Sequence, residues 1–123
     1  ATETGMTADP GLCKVCVCIP PEFADALMDA VNGAMEPVYP GYDRAYSIVR
    51  STGTWRPLEG SDPYDGVVGR ISTAEELRIG FVVRRRDLAG AIEAVLAVHP
   101  YEEPCIEVVP LIDWKGVVTR PCI

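Results

Sequence analysis

The side chains best suited to chemistry lie in one short stretch, His99-Pro-Tyr-Glu-Glu-Pro104, which sets the single histidine of the chain beside Glu102 and Glu103 and between two prolines. An imidazole and two carboxylates are complementary ligand types for a divalent metal or a polar ligand. Each proline fixes its own φ and pushes the residue before it toward extended geometry, so these side chains are confined to few arrangements. His99, Glu102 and Glu103 are therefore the candidate metal ligands, and Tyr101 joins them as a candidate ligand-binding residue. A structural reading stands beside that one. His99 would follow the last apolar position of a helix, where a cation meets the negative end of the helix dipole. Pro100 and Pro104 would then stop that helix and open a strand, with Glu102 and Glu103 facing water or pairing with Arg56.

A second candidate group is Thr54, Trp55 and Arg56, set among glycines. An aromatic beside a guanidinium can stack on a base or hold an anion. The alternative is that Trp55 covers an open sheet face or a neighbouring subunit. The chain carries neither a phosphate-cradling lysine loop nor a dinucleotide-binding glycine pattern. No nucleophile, base and orienting group can be placed together, so no catalytic residue is assigned.

Five cysteines make an odd count, and Cys13, Cys16 and Cys18 crowd one segment. Cys13 and Cys16 have zinc-like spacing, but no second paired-ligand motif follows them. Read as a strand, the segment puts Cys16 and Cys18 on one face and Cys13 with Val15, Val17 and Ile19 on the other. Structural thiols with no intramolecular disulfide are the expectation; Cys105 and Cys122 are too isolated to decide anything.

A chain of 123 residues, 48% hydrophobic and 24% charged, suits one globular domain with a real core. The net charge of −7 argues against nucleic acid as a partner, because phosphate neutralisation needs clustered Lys and Arg. Arg84-Arg85-Arg86 is the one basic run and reads as a solvated strand end. No stretch reaches the roughly 18 apolar residues that span a bilayer, and no leader-like segment opens the chain. No membrane partner and a cytoplasmic location are therefore expected. Residues 1–10 are small and polar with Met6 among them, and read as a flexible N-terminus whose first five residues precede the natural start.

These side chains need a frame. Residues 12–19 are apolar and β-rich between Gly11 and Pro20, a first strand. Pro21 and Glu22 suit a helix start, and Phe23, Ala26, Leu27, Ala30, Val31 and Ala34 recur at helical spacing until Asn32-Gly33. Residues 45–51 alternate as a second strand, and residues 52–69, rich in glycine and proline, read as a long loop. Residues 75–84 form a third strand. Asp87 can cap a second helix with Leu88, Ala91, Ile92, Val95 and Leu96 along its apolar stripe. Residues 105–112 are the fourth strand. The order predicts an α+β, ferredoxin-like βαββαβ sandwich, the split βαβ arrangement, over residues 11–112, with residues 113–123 as a C-terminal extension. Two helices cover one sheet face, and the other is left for a second copy of the chain or for the 52–69 loop.

Gly53-Thr-Trp-Arg-Pro-Leu-Glu-Gly60, then Asp62-Pro-Tyr64 with Gly66 and Gly69, and finally His99-Pro-Tyr-Glu-Glu-Pro104 resemble the ferredoxin-like domain of the NGG-interacting-factor, or YqfO-like, family. The resemblance spans residues 13–111. In large members this domain is inserted in a bigger protein whose other parts carry a two-metal site; single-domain members exist, and the chain resembles those. The resemblance implies a fold akin to CutA and the PII proteins, assembly as a homo-oligomer, typically a trimer, and a loop-built site at subunit boundaries. It does not carry catalysis over, since the metal ligands of large members lie in the flanking domain. The chain departs from the family at Met35-Glu-Pro-Val-Tyr-Pro-Gly-Tyr42, where a Gly-Ala-Gly-like turn is commonly followed by Ile-Gly-Asn-Tyr. Two functions stay open: a non-catalytic oligomeric binding or regulatory module sensing a divalent metal or small ligand, and a small metal-dependent hydrolase sited at a subunit boundary.

Overall fold

A computed structural model describes residues 11–118. The expectations for residues 1–10, for Cys122 and for the last part of the C-terminal extension lie outside the described residues.

Strand β1, Leu12–Ile19, alternates half-buried and buried positions along its whole length. Cys13, Val15, Val17 and Ile19 form the buried row, as the two-residue repeat requires. Pro20 and Pro21 end the strand and lead through a single 3-10 turn, Pro21–Phe23, into helix α1, Ala24–Asn32. The inward stripe of α1 is Ala24, Leu27 and Val31. Ala26, expected on that stripe, is exposed, because each residue turns about 100° around the helix and Ala26, one residue before Leu27, faces away from the stripe.

Strand β2 runs Ser47–Trp55 and β3 runs Ser72–Arg84, both longer than the sequence suggested. The first four residues of the expected 52–69 loop are thus strand, with Thr52, Gly53, Thr54 and Trp55 opposite Glu75, Ala74, Thr73 and Ser72. Gly53 looked like a loop residue, yet it serves close approach: a Cβ there would run into the Glu76 carboxylate. The connection between β2 and β3, residues 56–71, folds back on itself, with Gly69 N–H donating to the Pro57 carbonyl at 2.9 Å.

Helix α2, Leu88–Val98, follows a 3-10 turn at Arg85–Asp87. That turn already provides the helix start, so Asp87 makes no side-chain cap. Its carboxylate instead accepts the Glu36 backbone N–H at 3.1 Å, tying the α2 entry to the segment after α1. Ala91 and Val95 are the buried residues of α2, whereas Leu96 is exposed. Strand β4, Cys105–Leu111, closes the architecture.

The sheet order is β2-β3-β1-β4, and every neighbouring pair is antiparallel. This is the ferredoxin-like βαββαβ arrangement, with β1 and β3 central and both helices contributing to one core. Directly opposed residues share a face, so the register fixes what the other face carries. It presents Lys14, Cys16 and Cys18 from β1, Glu76 and Arg78 from β3, and Val49 and Val109 from the edge strands. No helix among the described residues is long and apolar enough to cross a membrane.

Candidate functional site

The turn at 99–104 and the connection after β2 meet at one end of the open face. Tyr101 is the hub. Its ring lies 5.8 Å from Trp55, 6.0 Å from Tyr64 and 4.9 Å from His99, centroid to centroid. Distances in that range suit tilted aromatic packing. The Glu102 carboxylate accepts the Asp62 N–H at 2.9 Å, which stitches the turn to the connection. Trp55 Nε1–H donates to the Asp65 carbonyl at 3.0 Å, so the indole is fixed edge-on at the end of β2.

Between them lies a cleft of about 440 Å³ with Thr54, Trp55, Tyr64, Tyr101, Glu102 and Glu103 in its walls. Ser51, Gly53 and Glu76 also line it, and Cys18 and Cys105 come from β1 and β4. Among the described residues its walls hold Asp65, Glu76, Glu102 and Glu103 and neither Lys nor Arg. Three aromatic rings and four carboxylates around a volume of this size suit a small cationic ligand, through ion pairing and the ring faces.

Glu76 is the residue that sequence reasoning missed. It is 7% exposed, unusual for an ionisable side chain. Its Oε2 accepts the Tyr101 hydroxyl at 2.7 Å, the one side-chain hydrogen bond it makes among the described residues. Burial, and next the Glu76 carboxylate, push the Tyr101 phenol well above its ordinary range, so it stays a donor. The signal that could have found Glu76 is Gly53, a glycine inside a strand whose missing Cβ makes room for that carboxylate.

His99 sits behind the cleft wall and is 8% exposed. Its Nε2–H donates to the Cys18 carbonyl at 2.7 Å, and its Nδ1 accepts the Tyr101 N–H at 3.3 Å. Burial lowers its pKa, against the pull of the Cys18 carbonyl and Glu76, which keeps the imidazole neutral. Both nitrogens are thus engaged by the backbone. The ligand set expected at His99, Glu102 and Glu103 is not gathered: Glu102 holds Asp62, His99 holds β1 and Tyr101, and no three His, Cys, Asp or Glu side chains among the described residues are grouped to hold a metal. Arg56 is exposed and stands outside the cleft lining, so the expected stacking and guanidinium pair does not form there, and neither does its pairing with Glu102.

No protein-family model matches the chain. The fold places it with the ferredoxin-like proteins. Against CutA, the periplasmic divalent cation tolerance protein of Archaeoglobus fulgidus, it reaches a TM-score of 0.61 over 81% of this chain and 83% of that one, at 19% identity. Sequence likeness narrows the group. The chain is 30% identical over 105 residues to the GTP cyclohydrolase 1 type 2 homolog of Halalkalibacterium halodurans, covering 85% of this chain and 28% of that protein. A Bacillus cereus protein related to NIF3 superposes with a TM-score of 0.74 and 28% identity, over 87% of this chain and 27% of that one. The chain is thus related to the NIF3-like proteins its motifs resemble, and it spans little more than a quarter of the length of the curated relatives it matches, 28% in the case above.

Proposed function

We propose that the chain is a non-catalytic, self-associating binding module of the YqfO-like kind, whose cleft between β2 and the 99–104 turn takes a small organic cation. The observation that carries this reading is the nearly buried Glu76 carboxylate, held among the described residues by Tyr101 alone and set in an aromatic, acidic cleft. A carboxylate taken out of water and given one hydrogen bond retains acceptor capacity, and an ammonium or guanidinium group supplies the missing charge and donors. Trp55, Tyr64 and Tyr101 supply ring faces for the rest of such a ligand.

Self-association is proposed through the open sheet face, where Val49 is 58% and Val109 54% exposed. A homotrimer is the form that the family resemblance implies, and light scattering at micromolar concentration tests it. A stable protomer of 13.3 kDa would contradict it.

Binding is tested by isothermal titration calorimetry with tetramethylammonium, spermidine, manganese(II) and zinc(II) as probes. Saturable binding of an organic cation, weakened about tenfold or more by Glu76→Gln, is the expected result, since one buried charge-assisted contact contributes about 1.5–3 kcal/mol. Binding of the metal ions alone would shift the reading to a metal sensor. That the relatives are GTP cyclohydrolase 1 type 2 homologs favours a second reading, a hydrolase acting on a nucleotide, of the metal-dependent kind the sequence left open. GTP turnover assayed with added zinc(II) or magnesium(II), and again with chelator, distinguishes that reading.

A further inference from the structure

Two thiols in the cleft wall have no place in the cation reading. Cys18 near the end of β1 lies directly opposite Cys105, the first residue of β4. Opposed residues of antiparallel strands project from the same face, so the two sulfurs stand side by side. Their Cα atoms are about 4.5 or 5.5 Å apart depending on which kind of pair they form. Both separations fall within the roughly 4.4–6.8 Å that a disulfide spans. Neither cysteine is bonded in the structure, and Cys105 is exposed while Cys18 is half-buried. Desolvation first, then the neighbouring Cys18 and Glu107, raise the pKa of Cys105.

The other cysteines on the strand lack this partner. Cys16 faces Gly80 on one side and Glu107 on the other. Cys13 points into the core opposite Val83 and Pro110, 5% exposed. Among the described residues, Cys18 is the one cysteine whose sulfur receives a guanidinium N–H, from Arg78 Nη1 at 3.7 Å.

We propose that Cys18 and Cys105 are a reversible dithiol–disulfide pair, a modification site for small-molecule disulfides of the glutathione class. Cys18, as thiolate, attacks one sulfur of the disulfide RSSR, forming a mixed disulfide and expelling RS⁻, which takes up a proton. Cys105 then gives up its proton and attacks the Cys18 sulfur, closing the Cys18–Cys105 bond and expelling the second RS⁻. Two protein thiols are oxidised, one RSSR is reduced to two RSH, and both protons end on the released thiols. The new bond would join the end of β1 to the residue that follows the 99–104 turn, across the cleft wall.

The test treats the whole protein with oxidised glutathione, quenches with acid, and combines thiol titration after denaturation with intact and peptide mass spectrometry. The expected result is loss of two of the five thiols, a mass lower by two hydrogens, and a cross-linked peptide pair containing Cys18 and Cys105. Cys105→Ser should stop at a glutathione adduct on Cys18, and Cys16→Ser should behave as wild type. Full retention of thiols overturns the proposal. So does a cross-link through Cys13 or Cys16, a link between two chains, or a mixed disulfide that persists in the wild type. Circular dichroism of each serine variant, with thiol count on the folded fraction, separates lost chemistry from lost folding, and a folded Cys105→Ser that still loses two thiols also overturns it.

Discussion

The two faces of β1 are built from alternate residues of one strand and are settled by different means. On the helix side Val15, Val17 and Ile19 have no solvent exposure and meet Leu27, Val31, Ala91 and Val95 in one core. On the other side Lys14, Cys16 and Cys18 remain half-buried and answer to charged or polar neighbours such as Arg78 and Glu107. The first face is completed by the chain's own helices. The second carries the cleft, the thiol pair and the apolar edge residues, and on the proposed function it is completed by what binds it. Under that proposal the pleat divides stability from function, and substitutions on the two faces should separate them.

The largest effect is expected at Leu27→Ala. Truncating a fully buried leucine under the sheet should cost about 3 kcal/mol by urea unfolding, from lost transfer energy plus a cavity. Cys16→Ala, on the same sheet but the opposite face, should cost less than about 1 kcal/mol. Equal losses would erase the distinction between the faces.

Gly53→Ala comes next. Its Cβ would collide with the Glu76 carboxylate, so Glu76 must move or the β2–β3 pairing must yield. Overpacking of this kind costs about 1–3 kcal/mol, and here it should also weaken cation binding, which unfolding and calorimetry measure together. A variant of wild-type stability and affinity would show that the close approach is immaterial.

A smaller, pH-dependent effect belongs to His99. Burial lowers its folded pKa, so the unfolded chain, with a pKa of about 6.5, takes up the proton first as pH falls. The stabilising contribution is complete above about pH 6.5 and is lost as pH drops below that toward the folded pKa. His99→Gln should flatten this part of the stability–pH curve in denaturation series at pH 5 to 8. An unchanged slope in the variant would assign the pH dependence to other groups.

Arg50→Ala should do least. Its ion pair with Glu75, at 3.4 Å between side chains 79% and 69% exposed, is expected to be worth less than about 0.5 kcal/mol by thermal unfolding. A larger loss would mean that this edge of the sheet is covered in solution.

Much of the frame could be read from residue order. Strict alternation between Gly11 and Pro20 defines β1 and even which cysteine is buried, because a two-residue period leaves one assignment. Helix α2 was harder, since LAGAIEAVLAV offers a single charged residue to mark its outer side, and Leu96 accordingly went to the wrong stripe. The β2 end was hidden by Gly53, whose cause is a carboxylate on another strand. The site divides the same way. Trp55, Tyr101, Glu102 and Glu103 announce themselves by motif, and the cleft does collect them. Glu76 and the Cys18–Cys105 pair are products of register, and register between distant strands is not written in either segment alone.

The central claim, that the open face carries a cation site organised by a buried carboxylate, is tested most directly by calorimetric titration of spermidine into wild type and Glu76→Gln side by side, with folding of both checked by circular dichroism. The account predicts saturable binding to the wild type and affinity at least about tenfold weaker in the variant. Equal affinity in the two proteins, or no cation binding by a folded wild type, would contradict it.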